Sequence, residues 1–168
     1  MTELSAAANT DWDVLSDVKD ALAAATIKAQ PVFAEVTLTT SEAQIKECQH
    51  KGATPRCIIL YKTTPGYTCI EGEYGETVEA ALYIETKVDR GVDESDAIKE
   101  VLRLKNAAMN AIETTQPSSV DAMGNELGEF HEAIEWGRPV LDTAARLPWA
   151  GCVLPVTFSY LLASRTSH

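Results

Sequence analysis

The residue types that carry chemistry are present in this chain but are not grouped. Its three histidines are His50, His131 and His168. His131-Glu132 opens like the H-E-x-x-H zinc motif, but position 135 is Glu135, so the second imidazole is missing. Adjacent residues on a strand also point to opposite faces, which would separate His131 from Glu132. The four cysteines, Cys48, Cys57, Cys69 and Cys152, are irregularly spaced. With His50 they lack the paired C-x₂₋₄-C knuckles of a structural zinc site. Cys57 and Cys152 begin apolar runs, where cysteine behaves as a small buried hydrophobe. Glu71, Glu73, Glu76 and Glu79 are carboxylates in sequence, without the ligand spacing of a calcium loop, and read as a solvated acidic segment. No Gly-rich phosphate loop with its lysine occurs, and no G-x-S-x-G elbow. The expectation is a protein that is not an enzyme and carries no cofactor and no metal.

Composition points the same way. The 168 residues suit one domain, and 45% hydrophobic residues suffice for one core. A formal charge of −11, with 14 scattered basic residues, disfavours a protein that grips nucleic acid. No run reaches the roughly 18 apolar residues of a membrane helix. MTELSAAANTDWD holds acidic residues and no basic n-region, so no secretory signal is expected and the protein should act in the cytosol where it is made. There the cysteines would remain thiols.

The elements follow from periodicity. After a flexible stretch over 1–9, a helix is expected over 10–27, capped by Thr10, with Trp12, Leu15, Val18, Leu22 and Ala25 on its apolar face. VFAEVTL alternates as a half-buried strand, and a short helical turn is possible after Ser41. RCIILYK reads as a central strand. TTPGYTCIEGEYGETVE, over 63–79, reads as a long turn or extended hairpin arm. ALYIETKV returns as a strand antiparallel to RCIILYK, with Leu82, Ile84 and Val88 on one side. A second helix, 95–114, places Ile98, Val101, Leu102, Lys105, Ala108, Met109 and Ile112 on one face. Of the closing segments, FHEAIEW favours a strand over a short helix. CVLPVTFSYLLAS alternates, with Pro155 marking an edge strand or a bulge. The predicted fold class is α+β: an antiparallel or mixed sheet of about five strands on two main helices, with a long arm. Trp12 reads as core. Trp136 and Trp149 flank the connector GRPVLDTAARLP, which contains Arg138, and are candidates for subunit contacts.

The layout carried by WDVLSDVKDALAAA, ALYIETKVDRGVDESDAIKEVLRLKNAAMNAI and EWGRPVLDTAARLPWAGCVLPVTFSYLL resembles the tail terminator (tail-completion, or head-to-tail joining) proteins of tailed bacteriophages. The resemblance spans most of the chain and rests on architecture rather than on fixed residues. It implies a virion protein assembled in the host cytoplasm. Its subunits would form a homo-oligomeric, commonly hexameric, ring that caps the tail tube and joins it to the head connector, with no catalytic residues. DNA would pass through the lumen without specific binding, because an acidic lining repels phosphate. Glu71, Glu73, Tyr74, Glu76, Trp136, Arg138 and Trp149 are the candidate interface or lumen residues. A tail tube or other neck subunit is the related alternative. A small cytosolic ligand-binding domain or enzyme is the alternative of another class.

Overall fold

A computed structural model describes residues 11–70, 73–88, 93–114, 134–146 and 148–161. In chain order the elements are α1 (Asp11–Ala24), β1 (Thr26–Ile27), β2 (Gln30–Pro31), β3 (Glu35–Thr39), α2 (Glu42–Cys48), β4 (Arg56–Ile70), β5 (Glu73–Lys87), α3 (Glu94–Glu113), β6 (Ile134–Trp136), β7 (Val140–Arg146) and β8 (Trp149–Leu161). The main sheet has six strands in the order β3-β4-β5-β8, with β6 and β7 both on the far side of β8. Only the β3–β4 pairing is parallel, so the sheet is mixed and the class is α+β.

The alternation of apolar residues builds the principal core. Cys57 and Ile59 of β4, Val78, Ala80, Leu82 and Ile84 of β5, and Cys152, Leu154, Val156 and Phe158 of β8 share one face and are buried. Helices α1 and α3 cover that face with Val14, Leu15, Val18 and Leu22, and with Ala97, Val101, Leu104, Ala108 and Ile112. Burying each large apolar side chain is worth about 1.5–3 kcal/mol. A smaller cluster on the second face joins Ile45 of α2 to Ile58, Leu60 and Ala81. Ser41 caps α2 by accepting a bond from the Gln44 amide, which fixes the helix that the sequence left unplaced.

Several sequence expectations are corrected. Trp12 is 46% exposed rather than core. The buried arc of α1 centres on Val14, Leu15, Val18 and Leu22, and at 3.6 residues per turn Trp12 sits roughly 110° from its middle. On α3 the buried stripe runs through Ala97, Val101, Leu104, Ala108 and Ile112. Leu104 therefore takes the place expected of Lys105, and Ile98, Leu102 and Met109 flank the stripe half-exposed. In the first strand region Val32 and Phe33 are buried before β3 begins, and Ala34 is exposed. The helix expected to residue 27 ends at Ala24, where a short β1–β2 hairpin takes over.

Pro155 lies in β8, which is an interior strand and not an edge. Its carbonyl accepts from the Gly137 amide at 2.8 Å. In an antiparallel strand a residue's N and C=O face the same neighbour, so the missing proline donor also faces this side. There the outer strand is broken between Trp136 and Val140, and the lost ladder bond accompanies that break. Gly137 is required at the break, because a Cβ there would lie 2.8 Å from Pro155 Cβ.

Two glycine-related outcomes follow. Gly151 faces Glu85 across β5–β8, and a Cβ on it would lie 2.4 Å from the Ile84 carbonyl oxygen. Gly151→Ala should lower stability by about 1–3 kcal/mol or more, read from the denaturant midpoint at unchanged m-value. Conversely, the β1–β2 turn holds both Lys28 (φ 50) and Ala29 (φ 64) in the left-handed region. That conformation costs a residue with a Cβ about 1–2 kcal/mol, so Ala29→Gly should raise the midpoint despite glycine's entropy.

Candidate functional site

Strands β4 and β5 are unusually long, and their ladder continues to the pair Ile70↔Glu73. β3 flanks β4 only from Arg56 to Leu60. The helical layer ends at a similar level, where the Tyr61 hydroxyl donates to Asp11 Oδ2 at 3.1 Å at the start of α1. Beyond it, β4, β5 and β8 run on together, with β5 paired to β8 as far as Gly75↔Leu161. The ladder shifts register between Tyr61 and Thr63 and again before Gly66. Such bulges bend a hairpin and increase its twist. From Thr63 to Ile70 the β3-side edge of β4 has no strand neighbour among the described residues. At ~3.3 Å per residue, 63–70 spans roughly 25 Å, and at its base Val78 and Phe158 are still buried in the helix-covered core.

Of the candidate interface residues, Glu73, Tyr74 and Glu76 belong to the arm. Their backbones pair with Ile70, Cys69 and Tyr67. Glu71 lies outside the described residues, and Glu79 is exposed at the base of the arm. Trp136 is half-buried on the core, and its indole N–H donates to Glu113 Oε1 at 2.8 Å, tying β6 to the end of α3. Arg138 is exposed in the break between β6 and β7. Trp149 lies at the other end of β8, opposite Lys87 and Arg146. The candidates therefore form an acidic arm, a broken outer strand and an aromatic corner, not one site. That outer strand holds two of the exposed large hydrophobics among the described residues, Val140 at 65% and Leu141 at 39%.

The second face of the sheet holds a charged cluster that the sequence reading missed. Arg56 and Glu85 are ladder partners, and Arg56 is only 3% exposed. Its Nη2 and Nε donate to Glu85 Oε1 at 2.6 and 3.1 Å. The His50 amide donates to the same oxygen at 2.9 Å. His50 Nδ1 lies 3.1 Å from Glu85 Oε2, within ion-pair distance but off the direction of a hydrogen bond. His50 (φ 62) and Gly52 (φ 83) both adopt left-handed backbone, which folds the loop after α2 back over Arg56. The signal was an arginine opening the apolar run RCIILYK and a glutamate at the matching place in ALYIETK.

Beside this cluster a hollow of about 320 Å³ is lined by His50, Tyr83, Glu85, Val140, Trp149 and Val153. The His50 and Trp149 rings stand 5.3 Å apart, tilted by 50°, and Lys87 Nζ lies 6.0 Å from the Trp149 ring centre. Cys152 also borders the hollow, but burial pushes its thiol up to about 11, so it is not a thiolate at neutral pH. Burial raises Cys57 further still. Among the described residues no group of three or more His, Cys, Asp or Glu side chains is placed to hold a metal ion. On this geometry the cluster anchors the α2 loop, and the hollow offers aromatic and apolar contact surface.

No protein-family model matches the chain, and no curated protein matches it. A chain in the solved structure of the virion of a native gene transfer agent (GTA) particle is 10% identical to it. That match covers 88% of this chain and 91% of that one, with a TM-score of 0.38. At this identity and score the likeness carries no weight for function.

Removing one partner of a buried ion pair leaves the other charge uncompensated. Glu85→Ala should therefore cost about 3–5 kcal/mol, whereas Lys99→Ala, at an exposed pair with Asp96, should change stability by less than ~1 kcal/mol. Chemical denaturation of both variants makes the comparison.

Proposed function

We propose that this chain is a structural subunit of a phage virion. Copies would form a ring that terminates the tail tube and joins it to the head connector. The observation that carries the reading is the three-stranded arm, which continues past both helices and presents a backbone edge with no strand neighbour among the described residues. A solitary globular domain gains little from such an extension, whereas an edge of this kind is a ready template for pairing with another chain. A contact between different surfaces of identical subunits closes into a ring when the rotation per copy allows it.

Charge supports the same reading. The segment 63–79 contains Glu71, Glu73, Glu76 and Glu79 and no lysine or arginine, within a chain of formal charge −11. An acidic surface lining a channel would let DNA slide without adhering. A tail tube or neck subunit would use the same arm, but a tube protein would be expected to carry more strand and less helix. The hollow beside Trp149 favours a second reading, a small-molecule-binding domain, which requires neither the arm nor assembly.

Negative-stain microscopy of the purified chain separates these readings. Rings of uniform diameter are expected; a monomer at every concentration and ionic strength, with a small molecule bound in the hollow, would overturn the ring. In a phage carrying the protein, replacing the four arm glutamates with lysine should reduce the yield of infectious particles.

A further inference from the structure

Resting on the ring reading, we infer that the ring is built by sheet continuation: the outer edge of β7 in one copy pairs with the outer edge of the β4 arm, residues 63–70, in the next. The partner is a second copy of this chain, and the two surfaces are different, so the contact is head-to-tail.

The sheet order places these two edges on opposite sides of the molecule. Among the described residues β4 has its unaccompanied edge on the β3 side, and β7 lies at the β8-side limit of the sheet. They also lie at opposite ends along the strands. β7 stands against Trp149 to Val153 of β8, whereas the arm lies beyond the level of Val156. An arm that reaches outward from one end can therefore meet a neighbour's β7 without forcing the two bodies together.

β7 is unusual for a solvent edge. Val140 and Leu141 are consecutive and so point to opposite faces, yet both are exposed. The first borders the hollow beside Trp149. Edge strands that must stay single are normally blunted by charge or proline within the strand, and VLDTAAR is blunted only by Asp142 and the terminal Arg146. β7 has seven residues; within 63–70 Pro65 lacks an amide donor and the ladder shifts register before Gly66, so the regular part of the arm edge is 66–70. Charge is complementary as well. The stretch 137–147, GRPVLDTAARL, carries Arg138 and Arg146 against Asp142, whereas 63–79 carries four glutamates and no cation. Residues 63–70 are themselves uncharged, and Glu73, Glu76 and Glu79 lie on β5, one strand behind the edge. This complementarity therefore acts between the two segments as wholes and disfavours arm against arm without setting the register.

Among the described residues β3 also has an unaccompanied edge, but it is five residues long, begins with exposed Glu35 and lies beside α1 and α2. It does not match β7 in reach.

The test uses two full-length variants. In the first, Val140→Lys with Leu141→Lys blocks the β7 edge; both positions are exposed, so the fold should survive. In the second, residues 67–76 are replaced by Asn-Gly, closing the hairpin at the Gly66–Thr77 pair and removing most of the arm. Circular dichroism and thermal melting verify that each is folded. Sedimentation velocity should show the wild type as a ring and each variant alone as a monomer. An equimolar mixture should yield a single heterodimer, because one intact arm meets one intact β7 edge. Should the arm-trimmed variant be unfolded, Tyr67→Lys with Cys69→Lys in the arm replaces it. Rings persisting in either folded variant, or no heterodimer in the mixture, would overturn this pairing and leave the ring reading standing. A wild type that is monomeric throughout would overturn both.

Discussion

The rest of the structure depends on the mutual pairing of β4, β5 and β8. β5 lies between the other two, hydrogen-bonded to β8 from Gly75 to Lys87 and to β4 along most of that length. This ladder makes one apolar face out of three separate sequence runs. Against that face α1 and α3 bury their stripes, with Phe158, Leu82 and Leu154 essentially inaccessible. The same ladder carries the arm, since β4 and β5 continue past the helices only because each supplies the other's hydrogen bonds. Core and arm are thus one continuous object, and a force on the arm is transmitted along backbone into the core.

The two faces of the sheet are used differently. The helix-covered face is apolar and closed. The second face is covered over a limited area by α2, held there by Ile45 and by the Arg56–Glu85–His50 cluster. Burying an arginine is costly without a partner, and here a register-matched glutamate provides one. Past this cluster the face bears Lys62, Glu79, Glu135 and Thr157, with the aromatic corner at Trp149.

How much of this was legible in the sequence depended on how local the determining signal was. Alternation identified β5 and β8 and their inward sets, because a period of two survives any tertiary arrangement, whereas the first half of β4 was legible as a nearly continuous apolar run of strand length. The α3 stripe was misjudged by one position: Leu102, Leu104 and Lys105 all lie within a turn, and only the sheet beneath decides which is covered. Trp12 misled for a similar reason, since its bulk suggested core while its angular position put it at the margin. Pro155 correctly signalled a lost ladder bond, but the break lies in the neighbouring strand, which no local pattern reveals. The Arg56–Glu85 pair depends on register between strands far apart in sequence. Of the candidate residues, Glu73, Tyr74 and Glu76 lie along one strand of the hairpin, whereas Trp136 and Trp149, joined by a connector in sequence, stand apart along β8 in space.

The central claim is that the arm is an intermolecular contact and not a solvent-exposed ornament. Amide hydrogen exchange of residues 63–79 and 140–146, followed as the protein is diluted, tests it most directly. Both segments should be protected at high concentration and lose protection together on dilution, while the amides of Leu82 and Leu154 stay protected throughout. Protection of the arm that is the same at every concentration would contradict the account.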